Sequence, residues 1–197
     1  MRLSIKKILI MTTFLIVIFI IIIYLIFNKT SYVSANDLKE YCIKHSYCKS
    51  SSIYIKQIDN YYFCIDDDKN TKTSTNLAIF NEEHGDKKKL TYFGGSTNEN
   101  TTANTYFSTY MSNFPDRKNK TVGDSTVFFS KNYCKIEKAV ITIEENNTSK
   151  DKEFLINPNE PFVLKIDRLG IIDGIKKEII DYHFYSENGN EIKPLIK

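Results

Sequence analysis

The sequence predicts a mainly β (α+β) protein, in which an N-terminal transmembrane helix and a short amphipathic helix precede a β-meander and a small β-sandwich-like ectodomain. The first observation behind this prediction is an uncharged run of 20 residues from Ile8 to Phe27. At about 1.5 Å per residue, such a helix matches the roughly 30 Å of a bilayer's hydrocarbon core. The second is the period-two alternation of apolar and polar residues, interrupted by turn signals, after residue 52.

Basic residues fix the expected orientation of the apolar run. Three of them precede it and no acidic residue does, and positive charge at this place stays in the cytoplasm. We therefore expect residues 1–7 to be a cytoplasmic stub, residues 8–27 to cross the cell membrane once, and the C-terminal domain to be extracellular. A signal peptide cleaved after Ala35 is the alternative, but signal-peptide cores have only about 7 to 15 residues.

The charge balance bears on the partners of the exported part. The chain has 27 Lys and Arg against 24 Asp and Glu, and three of the basic residues lie in the stub, so the exported part is formally neutral. A neutral domain offers no basic surface for nucleic acid. The expected partners are the membrane, through the single span, and an unknown protein or cell-envelope ligand.

All four cysteines follow the apolar run: Cys42, Cys48, Cys64 and Cys134. An even number in an oxidising compartment predicts two disulfides. Of the three pairings, proximity in sequence favours Cys42 with Cys48 and Cys64 with Cys134, and free thiols remain an alternative. The spacing of Cys42, His45 and Cys48 does not predict a metal site, because positions i and i+6 of a helix are turned about 240° apart.

Residues 28–52 are predicted to form a juxtamembrane linker and a short amphipathic helix. Apolar or aromatic side chains fall at i, i+3, i+4 and i+7 in Leu38, Tyr41, Cys42 and His45. Asp37 with Glu40 resembles a capping box at the start of this helix.

Residues 53–197 are predicted to form the β-rich extracytoplasmic domain, with sub-lobes at 53–95 and 122–197. Strand signals occupy Ile53 to Ile58, Tyr61 to Asp66, Leu77 to Asn81, Lys89 to Phe93, Thr126 to Ser130, Lys138 to Glu144, Glu153 to Asn157, Phe162 to Asp167 and Ile175 to Tyr185.

The remaining local signals lie between these runs. Gly94-Gly95 opens a polar stretch that favours a loop. Residues 106–114 are rich in aromatic side chains at a spacing that fits either a helix or a strand. Asn188-Gly189 predicts a two-residue hairpin turn near the C-terminus.

The final hairpin FYSENGNEI (Phe184 to Ile192) and the segments YYFCIDD, NLAIF and KKKLTYFGG resemble uncharacterised membrane-anchored exported proteins of Gram-positive bacteria. In that family a β-rich ectodomain ends in a similar hairpin, with Asp where this chain has Ser186. The resemblance covers residues 53 to 193. It implies a fold and a location, and it brings no catalytic residue to this chain.

Motifs for catalysis or metal binding are missing from the sequence, which lacks G-x-S-x-G, H-E-x-x-H and Walker patterns. Asp66, Asp68 and Asn70 begin like a calcium loop, but Thr71 takes the position where the sharp turn requires Gly. We therefore expect no catalytic residues, no cofactor and no metal.

The function predicted from these observations is a binding or sensing module at the cell envelope, without enzymatic activity. One alternative is an envelope hydrolase or thiol enzyme that uses His84, His183 or a reduced cysteine. A second alternative is a viral entry-type ectodomain, with Asn100 or Asn119 as glycosylation acceptors.

Overall fold

The computed structural model describes residues 13–21, 32–48, 52–67, 74–83, 86–99, 108–114, 124–172 and 174–192. The chain divides into two compact units, residues 1–32 and 33–197. Helix α1 is described over residues 13–21, in the first unit. The described part of the second unit contains α2 (Leu38–Lys44), β1 (Ile53–Ile58), β2 (Tyr61–Asp66), β3 (Ser74–Glu83), β4 (Asp86–Glu99), β5 (Ser108–Asn113), β6 (Asp124–Ser130), β7 (Ile136–Glu145), β8 (Thr148–Leu155), β9 (Phe162–Ile172), β10 (Ile175–Ser186) and β11 (Glu191–Ile192).

The structure contradicts the predicted transmembrane helix over residues 8–27. Among the residues it describes, no helix is long and apolar enough to cross a membrane. The described helix in this segment covers residues 13–21. Residues 1–7, 8–12 and 22–27 lie outside the described residues.

The mainly β character of the second unit is confirmed. In the first sheet the strand order is β1-β2-β3-β4, and every neighbouring pair is antiparallel. Strands β1 and β2 have the predicted bounds. The two residues between them form a tight turn in which Asp59 has a φ of 55°, a conformation that Asp tolerates well. This arrangement is the meander that the sequence predicts.

Strand β4 corrects the predicted loop at Gly94-Gly95, because it continues through both glycines to Glu99. A Cβ on Gly95 would lie 2.3 Å from the carbonyl oxygen of Leu77 on β3. The glycine therefore allows a close approach of two paired strands and does not mark a turn.

The second sheet opens into two layers. Its strand order is β5-β6-β9-β10-β7-β8, with β11 paired to β10. Strands β9 and β10 pair only next to their turn. The paired residues are Ile172 with Ile175, Ile171 with Lys176 and Gly170 with Lys177. Beyond that point β9 follows β6 while β10 follows β7. We call β5-β6-β9 the middle layer and β10-β7-β8 the outer layer.

Residues 108–113, whose sequence fits either a helix or a strand, form strand β5.

The middle layer is buried on both faces. On β6, Phe128 packs among side chains of β7, β9 and β10, whereas the next residue, Phe129, packs among side chains of β2 and β3. Every residue of β6 after Asp124 is buried. Because successive strand residues point to opposite faces, this burial places β6 between the first sheet and the outer layer.

Lys165 on β9 adds a polar link between the first sheet and the middle layer. Its side chain is only 5% exposed, and its Nζ lies 2.7 Å from Asp167 Oδ1 and 3.1 Å from Asp59 Oδ2 in the β1–β2 turn. The ammonium also lies 5.7 Å from the ring centre of Tyr61 and 5.5 Å from that of Phe114, within reach of cation–π attraction. The carboxylates and rings together compensate for the desolvation of this charge.

Two turns differ from the predicted ones. Ser186 donates its amide to the carbonyl of Asn190 and Gly189 has a φ of 75°, so the last hairpin has a three-residue loop with glycine in the left-handed position. A second two-residue turn, besides that between β1 and β2, lies between β7 and β8, where Asn146 and Asn147 have φ values of 50° and 61°.

Helix α2 confirms the predicted amphipathic helix and covers the outer face of the first sheet. Leu38 and Cys42 are buried against a cluster that includes Cys64 and Phe80, while His45 is exposed. The predicted capping box does not form, because the Asp37 side chain makes no capping hydrogen bond and instead accepts one of 2.7 Å from Ser34 Oγ.

Candidate functional site

A groove opens where β9 and β10 separate. It has a volume of about 420 Å³ and is lined by residues of β5, β6, β9 and β10. The opening follows from the strand pairing, since the middle and outer layers are joined at the β9–β10 turn and lie apart beyond it. Small-molecule sites are commonly clefts of about 300 to 1,000 Å³, so this groove has the size of a ligand site.

The lining of the groove is mostly apolar. The apolar and aromatic side chains are those of Met111, Phe128, Leu169, Ile171, Ile179 and Tyr182. Phe128 and Tyr182 meet edge to face with ring centres 5.2 Å apart. At the rim, Met111 is 69% exposed and Ile171 is 76% exposed. Two large apolar side chains held in water beside an apolar groove are a feature of binding surfaces.

Four charged residues border the groove: Asp124, Lys176, Lys177 and Glu178. Lys176 Nζ lies 2.7 Å from Glu178 Oε1, and this hydrogen bond raises the pKa of Lys176. In the described part of the chain, neither Lys177 nor Asp124 takes part in an ion pair. Lys177 is half-buried whereas Asp124 is exposed, so of these two charged side chains the lysine is the less hydrated.

Gly170 shapes the groove at the end of β9. It has a φ of 98°, and a Cβ at this position would meet nothing within 4 Å. The glycine is therefore required by the backbone conformation, and it leaves the groove open next to Lys177.

The structure does not contain the predicted disulfides, since all four cysteines are free thiols. Cys42, Cys48 and Cys64 lie together in the buried cluster beneath α2. Cys134 lies in the connection between β6 and β7 and is half-buried. Both predicted pairings, Cys42 with Cys48 and Cys64 with Cys134, are therefore wrong.

The cysteine environments do not favour a thiol nucleophile. A hydrogen bond to Cys42, followed by burial, raises the pKa of Cys48. For Cys42 a hydrogen bond from Cys48 acts to lower the pKa, but the hydrogen bond to Cys64 and burial outweigh it and the pKa is raised. Burial also raises the pKa of Cys134. A reactive cysteine needs the opposite shift, towards the thiolate.

His183 lies on the surface between two carboxylates. Its Nδ1 is 2.6 Å from Glu191 Oε1 on β11 and its Nε2 is 3.0 Å from Asp181 Oδ2 on β10. The hydrogen bond to Glu191 is the main cause of its raised pKa. Through these partners His183 connects β10 to β11. Both of its ring nitrogens face carboxylates, so neither is placed to act as a general base for a nucleophile.

The other sequence candidates do not form a site with the described residues. Asp66 is buried and accepts a hydrogen bond of 3.3 Å from Asn76 Nδ2. Asp68, Asn70 and His84 lie outside the described residues, as do Asn100 and Asn119. No group of three or more His, Cys, Asp or Glu side chains in the described ranges is arranged to hold a metal ion.

A second aromatic surface lies where α2 meets the first sheet. Tyr47 stacks on Tyr92 with ring centres 4.4 Å apart, and the ring of Tyr41 is tilted against that of His45 with ring centres 4.1 Å apart. These rings cover Phe80 edge to face, so they serve to pack the helix on the sheet. We call Tyr41, His45, Tyr47 and Tyr92 the ring cluster.

The groove residues escape sequence analysis because they come from four strands and share no motif. The one local signal is the run LGIIDGI at residues 169–175, which places the exposed Ile171 between two glycines of positive φ. Comparison with protein-family models, curated proteins and solved structures found no match.

Proposed function

We propose that this protein is a binding module whose groove takes the apolar chain of an amphiphile with an anionic head group. The observation that carries the proposal is the groove itself, an apolar cleft with exposed Met111 and Ile171 at its rim and a half-buried Lys177 beside it. The predicted location outside the cytoplasm stays a prediction.

The apolar lining supports a hydrocarbon chain as the part of the ligand that is buried. Burying apolar surface contributes about 25 cal/mol per Å², or about 0.8 kcal/mol for each CH₂ group. Binding would also remove Met111 and Ile171 from water, so apolar surface of both the protein and the ligand is buried in the complex. The groove offers few polar groups that could orient a polar substrate.

The charges at the rim support an anionic head group. Lys176 is already paired with Glu178, and an anion beside Lys177 would compensate a partly desolvated ammonium. Asp124 is more fully hydrated and gains less from a counter-ion. The alternative of a hydrolase or thiol enzyme has no support in the groove, whose lining contains neither Cys nor His.

Isothermal titration with sodium dodecanoate tests the proposal on the full chain. We expect a Kd of about 1 to 100 µM, in the usual range for a ligand of this size. Replacing Met111 or Ile171 with Asp should weaken binding at least about tenfold, because the loss of one large apolar contact is equivalent to about 1.5 to 3 kcal/mol. Lys177→Met should weaken dodecanoate binding and should not weaken binding of dodecyltrimethylammonium, whose cationic head group the lysine repels.

Leu155→Asp is the matched control. Leu155 is an apolar side chain on β8 that is 82% exposed and does not line the groove. The control should bind dodecanoate like the unmodified protein. Equal affinity in Met111→Asp, Ile171→Asp and Leu155→Asp, or no binding by the unmodified chain, would refute the proposed site.

A further inference from the structure

The two ends of the groove differ in character. Asp124 and Phe128 of β6 both line it, because residues an even number apart on a strand share one face. The register of β6 and β9 pairs Asp124 with Leu169. The next residue of β9, Gly170, pairs with Lys177 of β10. The charged residues therefore lie at one end, beside the β9–β10 turn, and Phe128 lies at the other.

Aromatic rings close the end of the groove that is remote from the charges. We call Phe128 and Tyr182, whose ring centres are 5.2 Å apart, the aromatic wall. The ring centre of Phe184 lies 5.8 Å from that of Phe128 and 6.2 Å from that of Tyr182. Phe184 is only 1% exposed and does not line the groove. The groove therefore ends at the aromatic wall, with buried core behind it.

We infer that the aromatic wall limits the length of the bound chain, so that the groove favours alkanoates of about 12 carbon atoms. This inference rests on the proposed function, in which the groove takes the apolar chain of an anionic amphiphile. The carboxylate of the ligand lies beside Lys177, and the methyl end of its chain contacts Phe128 and Tyr182.

The length of the groove follows from the strand that runs along it. Asp124 and Phe128 are four residues apart, and at about 3.4 Å per residue the two ends are about 14 Å apart. A chain of single bonds advances about 1.2 Å per bond when extended, as the three bonds of each residue do in an extended polypeptide. About 12 carbon atoms therefore reach from the charged end to the aromatic wall.

The volume of the groove gives a similar limit. A methylene group occupies about as much space as a water molecule in the liquid, roughly 30 Å³. About 14 such groups fill the 420 Å³ of the groove. A longer chain must leave its end in water or displace the ring of Tyr182.

Isothermal titration of the full chain with alkanoates from octanoate to hexadecanoate, each below its critical micelle concentration, tests the inference. We expect the Kd to fall about fourfold for each methylene group up to dodecanoate, because each added group is transferred out of water. Between tetradecanoate and hexadecanoate the Kd should change less than about twofold, since no further surface is buried.

The outcomes of this series separate the inference from the proposed function. A Kd that keeps falling up to hexadecanoate, or that does not depend on chain length, would overturn the limit set by the aromatic wall and leave binding in the groove intact. The absence of binding at every chain length would instead refute the proposed function, and the inference with it.

Two variants of Tyr182 test the wall itself. Tyr182 is half-buried, and Tyr182→Ala removes its ring, so hexadecanoate should bind this variant at least about fivefold more tightly than dodecanoate. Tyr182→Phe keeps the ring and is the matched control, in which the limit should stay at dodecanoate. An unchanged limit in folded Tyr182→Ala would overturn the inference. If Tyr182→Ala does not fold, as judged by circular dichroism, the chain-length series of the unmodified protein decides.

Discussion

Replacing either Phe128 or Phe129 with alanine is expected to lower the free energy of unfolding by about 3 to 5 kcal/mol, the usual cost of truncating a fully buried phenylalanine. The two side chains are 1% and 0% exposed and point to opposite faces of β6. Both variants should therefore lose stability to a similar extent. Urea unfolding followed by circular dichroism measures the change.

Truncating these two adjacent residues distinguishes an arrangement in which β6 is buried on both faces from a two-layer sandwich. In a two-layer sandwich one face of each strand contacts water, so one of the two truncations would cost little. Leu155→Ala on the exposed β8 strand is the control and should change stability by less than about 0.5 kcal/mol. A small effect of either phenylalanine truncation would show that β6 is not buried on both faces.

Asn132→Ala is expected to destabilise the protein by about 3 to 4 kcal/mol, because it leaves several buried backbone groups without partners. Asn132 Nδ2 donates to the carbonyls of Ile136 at 3.1 Å and Asn157 at 2.9 Å, and its Oδ1 accepts from the amide of Ile136 at 2.7 Å. The side chain thereby joins the β6–β7 connection to the one between β8 and β9. Thermal or urea unfolding measures the loss.

The backbone at Asn132 adds to this cost, since its φ is 58°. Asn132→Gly removes the same hydrogen bonds but tolerates this conformation, so it should be about 1 kcal/mol more stable than Asn132→Ala. Asn188→Ala, in the exposed last hairpin, is the control and should stay within about 0.5 kcal/mol of the unmodified protein. Equal stability of Asn132→Ala and Asn188→Ala would contradict the assigned hydrogen bonds.

The sequence predicts best those strands whose signals are local. β1 and β2 alternate clearly and are separated by two turn-forming residues, so their bounds follow from the pattern alone. The pattern predicts too short a β4, because Gly94-Gly95 normally indicates a turn, whereas here Gly95 is required by the close approach of β3. Such a requirement comes from a paired strand and leaves no mark in the local pattern.

The layering and the candidate site could not be predicted for a related reason. Strand β6 packs against the first sheet on one face and against the outer layer on the other. Its polar residues Ser125 and Thr126 are nevertheless buried, so the composition of β6 does not reveal that both of its faces are buried. The side chains that line the groove are spread along the sequence between residues 109 and 182. Distance along the chain likewise predicts the wrong cysteine partners, because the fold brings Cys64 into one buried cluster with Cys42 and Cys48.

Photo-crosslinking with a fatty acid that carries a diazirine at the end of its chain tests the binding groove most directly. The diazirine inserts into whatever side chain surrounds the apolar end of the bound ligand, and peptide mapping then locates the adducts. The groove predicts adducts on β5, β6 and the β9–β10 hairpin, around Met111, Phe128 and Ile179, and their loss when excess dodecanoate competes. Adducts at the ring cluster, or spread over the whole chain and insensitive to dodecanoate, would contradict it.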